Sequence, residues 1–123
     1  MLARLRSKIG SSGNYAQIGS SGDYAQIGSS GYSAKIGSSG YSAKIGSSGE
    51  SARIGSSGDN CVVMCAGHNS TAKAKKGSWI TLAEWHDDKP IHVVAKQVDG
   101  KEIKEDTFYK LLSVHQVGFI ATN

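Results

Sequence analysis

Cys61, Cys65 and His68 come closest, in type and spacing, to a set of metal ligands in this 123-residue chain. Zinc takes three or four such thiol and imidazole ligands in a tetrahedron. A second group, His86, Asp87 and Asp88, has the residue types of general acid–base chemistry. Adjacent residues in a turn point different ways, however, and Pro90 marks this segment as a turn. His92 and His115 stand on expected strands with no nucleophile beside them in sequence, and no serine occupies a G-x-S-x-G string. Phosphate cradling in a P-loop needs GxxxxGK[ST], which does not occur. A third group is basic and aromatic. Lys35, Lys44 and Arg53 recur at one position, Lys73, Lys75 and Lys76 cluster, and Tyr15, Tyr24, Tyr32 and Tyr41 lie where bases or a protein surface would meet them.

The elements that position these residues follow from a repeat. From Gly10 the chain reads GSSGNYAQI, GSSGDYAQI, GSSGYSAKI, GSSGYSAKI, GSSGESARI, GSSGDNCVV, six nine-residue units ending at Val63. A seventh, MCAGHNSTA, keeps only its second glycine, Gly67, in phase. A flexible Gly/Ser linker has no reason to place Ile18, Ile27, Ile36, Ile45 and Ile54 nine residues apart, each two residues after an alanine. That alternation is strand periodicity. Ala, Ile and the first Ser of the next unit share one side of the strand, while Gln, Lys or Arg and the first Gly share the other. Ser-Gly-x-x forms the corner, with glycine expected to supply φ > 0.

The expected fold is therefore all-β: a short parallel β-solenoid with about 18 residues per coil, stacked at about 4.8 Å. Six or seven units give three to three and a half coils. The expected divisions are an N-terminal cap (1–9) carrying Leu2 and Leu5, the solenoid (10–74), and a C-terminal antiparallel module (75–123). Open solenoid ends are strand edges and need covering. The same phase resolves the cysteines. Cys61 takes the inward Ala position and Cys65 the inward Ser position, whereas His68 falls in a corner, so the three are expected not to form a site. Calcium-binding β-roll repeats place an aspartate where this chain has Tyr, Ser or Asn, so no calcium is expected. No metal, cofactor or catalytic residue is expected, and no enzyme.

After Ala74 the phase breaks at Lys75-Lys76-Gly77. Ser78 to Trp85 reads as a strand with Trp79, Thr81, Ala83 and Trp85 on one face and Ile80, Leu82 and Glu84 on the other. His86 to Pro90 reads as a turn and Ile91 to Val98 as a second strand, with Asp99-Gly100 as a hairpin signal. Glu102 to Leu112 fits a strand or a short helix, the strand being favoured, and Val114 to Ala121 a last strand. The whole is a β-meander whose two tryptophans pack on the last coil. Trp85, Lys89 and Tyr109 are its candidate contact residues.

The net charge is +4, with 38% apolar and 7% aromatic residues. No apolar run is long enough for a membrane-spanning helix, and MLARLR lacks the apolar stretch of a secretory signal. Two cysteines without an export signal suggest a reducing compartment. The basic stripe alternates between two faces of a flattened coil, which weakens a nucleic-acid reading in favour of a protein partner. Little core and much edge favour homo-oligomers.

The array GSSGDYAQI/GSSGYSAKI followed by KKGSWITLAEW and VDGKEIKEDTFYKLL resembles a group of small proteins of bacteriophages, prophages and gut bacteria. The resemblance covers nearly the whole chain and implies a phage or mobile-element setting, in the cytoplasm of the bacterial host or on the virion. The expected function is a non-enzymatic binding protein. The alternative is an inhibitor of a host antiviral system, of the anti-CRISPR type or sequestering a nucleotide signal. A virion component is third.

Overall fold

The computed structural model describes residues 8–113 and 117–122. Leu2, Leu5, Val114 and His115 lie outside the described residues. Each repeat contributes one short strand: β1 (Lys8–Ser11), β2 (Gln17–Ser20), β3 (Gln26–Ser29), β4 (Lys35–Ser38), β5 (Lys44–Ser47), β6 (Arg53–Ser56), β7 (Val62–Cys65) and β8 (Thr71–Lys73). Odd and even strands separate into two parallel sheets, and pairing joins residues 18 apart, as in Ile18↔Ile36 and Ile27↔Ile45. Alternation does the sorting. Isoleucine and the following serine point into the seam, with Ile27, Ile36, Ile45 and Ile54 at most 4% exposed, while the flanking Gln, Lys or Arg faces out. The result is a β-solenoid of about four turns.

The corners correct one expectation. The residue with positive φ is not glycine but the one two places after it: Tyr15, Tyr24, Ser33, Ser42, Ser51, Asn60 and Asn69, with φ between 53° and 60°. At the first five of these the N–H donates to a carbonyl of the next coil, as in Tyr15 to Tyr32 (2.8 Å) and Ser33 to Glu50 (2.9 Å). The second glycine serves close approach instead. A Cβ on Gly31, Gly40, Gly49, Gly58 or Gly67 would stand 1.9–2.1 Å from the carbonyl oxygen of the glycine one coil earlier. This is why Gly67 alone survives in the seventh unit.

Inside the seam, the hydroxyls of Ser20, Ser29, Ser38 and Ser56 are buried without a hydrogen-bond partner among the described residues. An unsatisfied buried hydroxyl costs about 1–3 kcal/mol. Ser38→Ala should therefore stabilise the protein by about 1 kcal/mol, read as a higher urea midpoint at unchanged slope.

The solenoid runs further than the repeats. β9 (Trp79–His86) pairs parallel with β7, Val63↔Ile80, a separation of 17 rather than 18. The break at Lys75-Lys76-Gly77 is thus a one-residue deletion in a corner, not the end of the solenoid. With β1 beginning at Lys8, this adds turns to the three or three and a half expected. Trp79 follows the inward Ser78, so alternation sends its ring outward, 45% exposed, rather than onto the last coil.

A β-meander is also corrected. β9 and β10 (Lys89–Gln97) form a hairpin on the first sheet, whose order is β1-β3-β5-β7-β9-β10 (sheet A). β11 (Tyr109–Ser113) and β12 (Val117–Ala121) form another on the second, of order β12-β11-β8-β6-β4-β2 (sheet B). The turn of the first hairpin is only Asp87-Asp88, both with positive φ, and His86 pairs with Lys89. Between the hairpins the chain crosses from one sheet to the other. Asp99 Oδ1 accepts from Lys101 N (2.8 Å) and Ile103 N (3.1 Å), holding residues 99–108 in bends and a turn, so that of the strand expected over Glu102 to Leu112 only residues 109–112 are strand. Val98 and Ile103, both at most 2% exposed, drop into the core at its C-terminal end.

Candidate binding surfaces

The residues with metal-like spacing are kept apart. Cys61 and Cys65 are buried free thiols, and His68 stands in an exposed corner. Cys61 Sγ donates to the corner carbonyls of Gly40 (3.4 Å) and Gly58 (3.5 Å). Burial pushes the Cys65 thiol up from 9.0 to about 12. Among the described residues, no group of three or more His, Cys, Asp or Glu side chains is placed to hold a metal ion. The Cys65 thiol should therefore resist iodoacetamide at pH 8 until the chain is unfolded in urea, as peptide mass analysis would show. Its folded pKa is raised, so its contribution is complete below pH 9.0 and lost as pH climbs towards about 12. Stability should fall across that alkaline window.

His86 and Asp87 meet at 3.3 Å in the exposed hairpin turn. His92 on β10 pairs with Glu84 of β9. Lys89, exposed, opens β10 at the end of that turn, on sheet A with Lys44 and opposite Lys35, Arg53 and Lys73.

The solenoid divides the basic stripe as its period requires. Lys44 faces out from sheet A, whereas Lys35 and Arg53 are direct neighbours on sheet B. Like charges paired across strands are destabilising, so this pair carries a cost. Beside it runs a lane of glycines, Gly19, Gly37 and Gly55, in register. The next position of the lane is Lys73, paired with Gly55. Phe108, just before β11, lies over this end: the Arg53 guanidinium stands 3.8 Å from its ring centroid and Lys73 Nζ 4.9 Å. A groove of about 480 Å³ is lined by Gln17, Lys35, Arg53, Phe108 and the lane, with no acidic side chain. Lys75 and Lys76 are tied to the 99–108 segment instead, Lys75 by its side chain and Lys76 by its backbone. Lys75 Nζ meets Asp106 at 2.9 Å, which holds the lysine above its ordinary range, and the Lys76 N–H donates to Glu105.

The corner tyrosines form two pairs on opposite narrow edges. Tyr15 meets Tyr32 and Tyr24 meets Tyr41, each edge-to-face with centroids 5.7 Å apart. Asn14 Oδ1 accepts from Tyr32 N (2.9 Å) and Asp23 Oδ1 from Tyr41 N (2.8 Å), so each pair is held by its corner. The four rings are 43–69% exposed. Trp85 does pack on the last coil: its indole N–H donates to Ala66 O at 2.6 Å. Tyr109 leaves the list of contact residues. It is 5% exposed, its hydroxyl accepts from Lys104 N, and alternation turns it inward with Leu111.

Phe108 and the glycine lanes did not stand out in the sequence. The outward phase of every first glycine was the available signal.

No protein-family model, curated protein or solved structure matches this chain. Among the described residues no helix is long and apolar enough to cross a membrane.

Proposed function

We propose that this chain is a non-enzymatic binding protein of a phage or prophage, working as a homo-oligomer in the bacterial host, and that the outward face of sheet B engages an acidic protein surface. One observation carries this reading: Lys35 and Arg53 stand paired beside a bare glycine lane in a groove without an acidic residue. Arg53 is steadied by the Phe108 ring, whereas Lys35 beside it meets no acidic side chain in the groove. The lane removes the side chains that would hold a partner off, and Phe108 closes one end with an apolar plate. The phage setting rests on the resemblance of the repeats and of the segment from Lys75 to Leu112.

The test is phage plating on paired hosts with and without defence systems, with the chain expressed from a plasmid. Wild type should raise plating on a defended host, and Lys35→Glu with Arg53→Glu should abolish that gain while the circular dichroism melt stays unchanged. Equal plating in every pair would remove the inhibitory form of the reading. The chain's presence in purified particles would assign the binding to the virion instead. Charge reversal without effect in either setting would contradict the role of sheet B.

A further inference from the structure

Along most of the solenoid the first glycine of the repeat has no explanation inside the molecule. A Cβ on Gly10, Gly28 or Gly37 would meet nothing within 4 Å, and one on Gly46 only a carbonyl at 4.0 Å. Positive φ among glycines of the described residues occurs at Gly77 and Gly100 only. Glycine inside a strand costs about 0.5–1 kcal/mol relative to alanine, and an unexplained one marks the close approach of something else.

Sheet B indicates what the lane does. A Cβ on Gly55 would lie 3.2 Å from Lys73 Cε and 3.9 Å from Phe108 Cζ, so the bare position there seats side chains laid across the sheet. On sheet A the same rank, Gly10, Gly28 and Gly46, has no such cover among the described residues; it lines an open groove of about 860 Å³ that ends at Met64. Met64 pairs with Gly46 and is 51% exposed. Towards β10 the same face carries Val62 (37%), Trp79 (45%) and Val93 (64%). Sheet A is therefore bare at its N-terminal half and bulky and apolar at its C-terminal half.

We propose that this face is a self-association surface, on which a second copy of the chain packs face to face about a two-fold axis lying in the interface, parallel to the strands. Such an axis reverses the strand order, so the Met64–Trp79 half of each copy lies on the glycine lane of the other. A bulge and a bare lane on one face are complementary only to themselves turned round, which is the condition for a closed isologous pair. The charges agree. The same rotation keeps each rank over its own in reversed order, setting Lys8 across from Gln97 and Lys44 across from Val62, so lysine does not meet lysine. Their stems cover apolar surface while the ammonium groups reach water.

The area sets the strength. Six strands at about 4.8 Å give a face about 29 Å tall, and strands of about 13–26 Å give about 400–750 Å² per copy. A standard stable interface takes about 800 Å² from each partner. The dimer should thus be reversible and concentration-dependent. The inference rests on the homo-oligomer part of the proposed function but not on its partner site, since it uses the opposite sheet and leaves both sheet-B faces outward.

Sedimentation velocity of the full chain over a hundredfold concentration range tests it. Wild type should shift from 12.9 kDa towards twice that mass. Met64→Glu and Gly28→Arg should each hold it at the monomer mass with an unchanged melting temperature, while Gly37→Arg, the equivalent position on sheet B, should dimerise like wild type. A wild type that stays monomeric throughout would overturn the proposal. So would dimers that survive Met64→Glu and Gly28→Arg, or that are lost with Gly37→Arg; the first result would point to pairing through strand edges. The plating assay with sheet-B variants is read separately, so a failed dimer and a failed partner site are distinguishable.

Discussion

Gly40→Ala should unfold the solenoid from its middle, whereas Gly37→Ala, three residues earlier, should leave it intact or slightly more stable. The two glycines belong to one GSSG run and look equivalent in sequence. A Cβ on Gly40 would stand 1.9 Å from Gly22 O and 2.6 Å from its carbonyl carbon, both rigid backbone. Relief requires the coils to part by more than 1 Å, roughly, since carbon and oxygen do not approach closer than about 3 Å without strain. Parting stretches the rungs on either side: Tyr24 N to Tyr41 O (2.7 Å), Ser39 N to Ser20 O (3.0 Å) and Lys44 N to Ala25 O (2.9 Å). Three weakened backbone bonds and lost packing amount to about 3–5 kcal/mol, a large part of a domain's whole stability. The Cβ of Gly37→Ala meets nothing, and the change removes unfolded-state freedom worth up to about 1 kcal/mol. Urea titration followed by circular dichroism measures both. Equal losses at the two positions would mean that the coils do not approach as described.

Ile54→Asp should abolish folding at neutral pH. Ile54 is fully buried, with Ile36 and Ala72 directly beside it in the sheet. The substitution removes about 2–5 kcal/mol of apolar packing and leaves a carboxylate with no cation in the seam. Together these exceed what a chain of this size has to lose. Burial would raise the folded pKa of such an Asp, so its contribution is best below the unfolded value near 3.9 and worsens as pH rises. The variant should recover strand signal between about pH 4 and pH 3 that it lacks at pH 7. Ile54→Val, which keeps the shape, should cost only about 0.5–1.5 kcal/mol. A folded Ile54→Asp at pH 7 would place that side chain outside the seam.

Much of this was legible because the sequence repeats its own experiment. Isoleucine every ninth residue, two after an alanine, fixes which face is inside. One strand and one corner per nine residues makes the coil 18. The separation of Lys44 from Lys35 and Arg53 onto opposite faces follows from the same count. The corners were less legible, since a glycine needed for positive φ and one needed for close approach are the same letter; only the stacked coil reveals the carbonyl 2.0 Å from the missing Cβ of Gly31. One deleted residue before Ser78 hid the continuity of β7 with β9. The inward turn of Tyr109 was present in the alternation Tyr109-Lys110-Leu111, which places the tyrosine with the leucine. The seating of Phe108 under Arg53 and Lys73 was not, because it joins residues 55 and 35 positions apart through sheet B.

The stacking of nine-residue strands two to a coil is tested most directly by backbone proton contacts in solution nuclear magnetic resonance. Inter-strand contacts should connect residues 18 apart, with the Lys35 amide close to the Ala16 carbonyl and Ile36 beside both Ile18 and Ile54. Backbone ladders at a spacing of nine, or none between Lys8 and Ala74, would contradict the solenoid and the surfaces built on it.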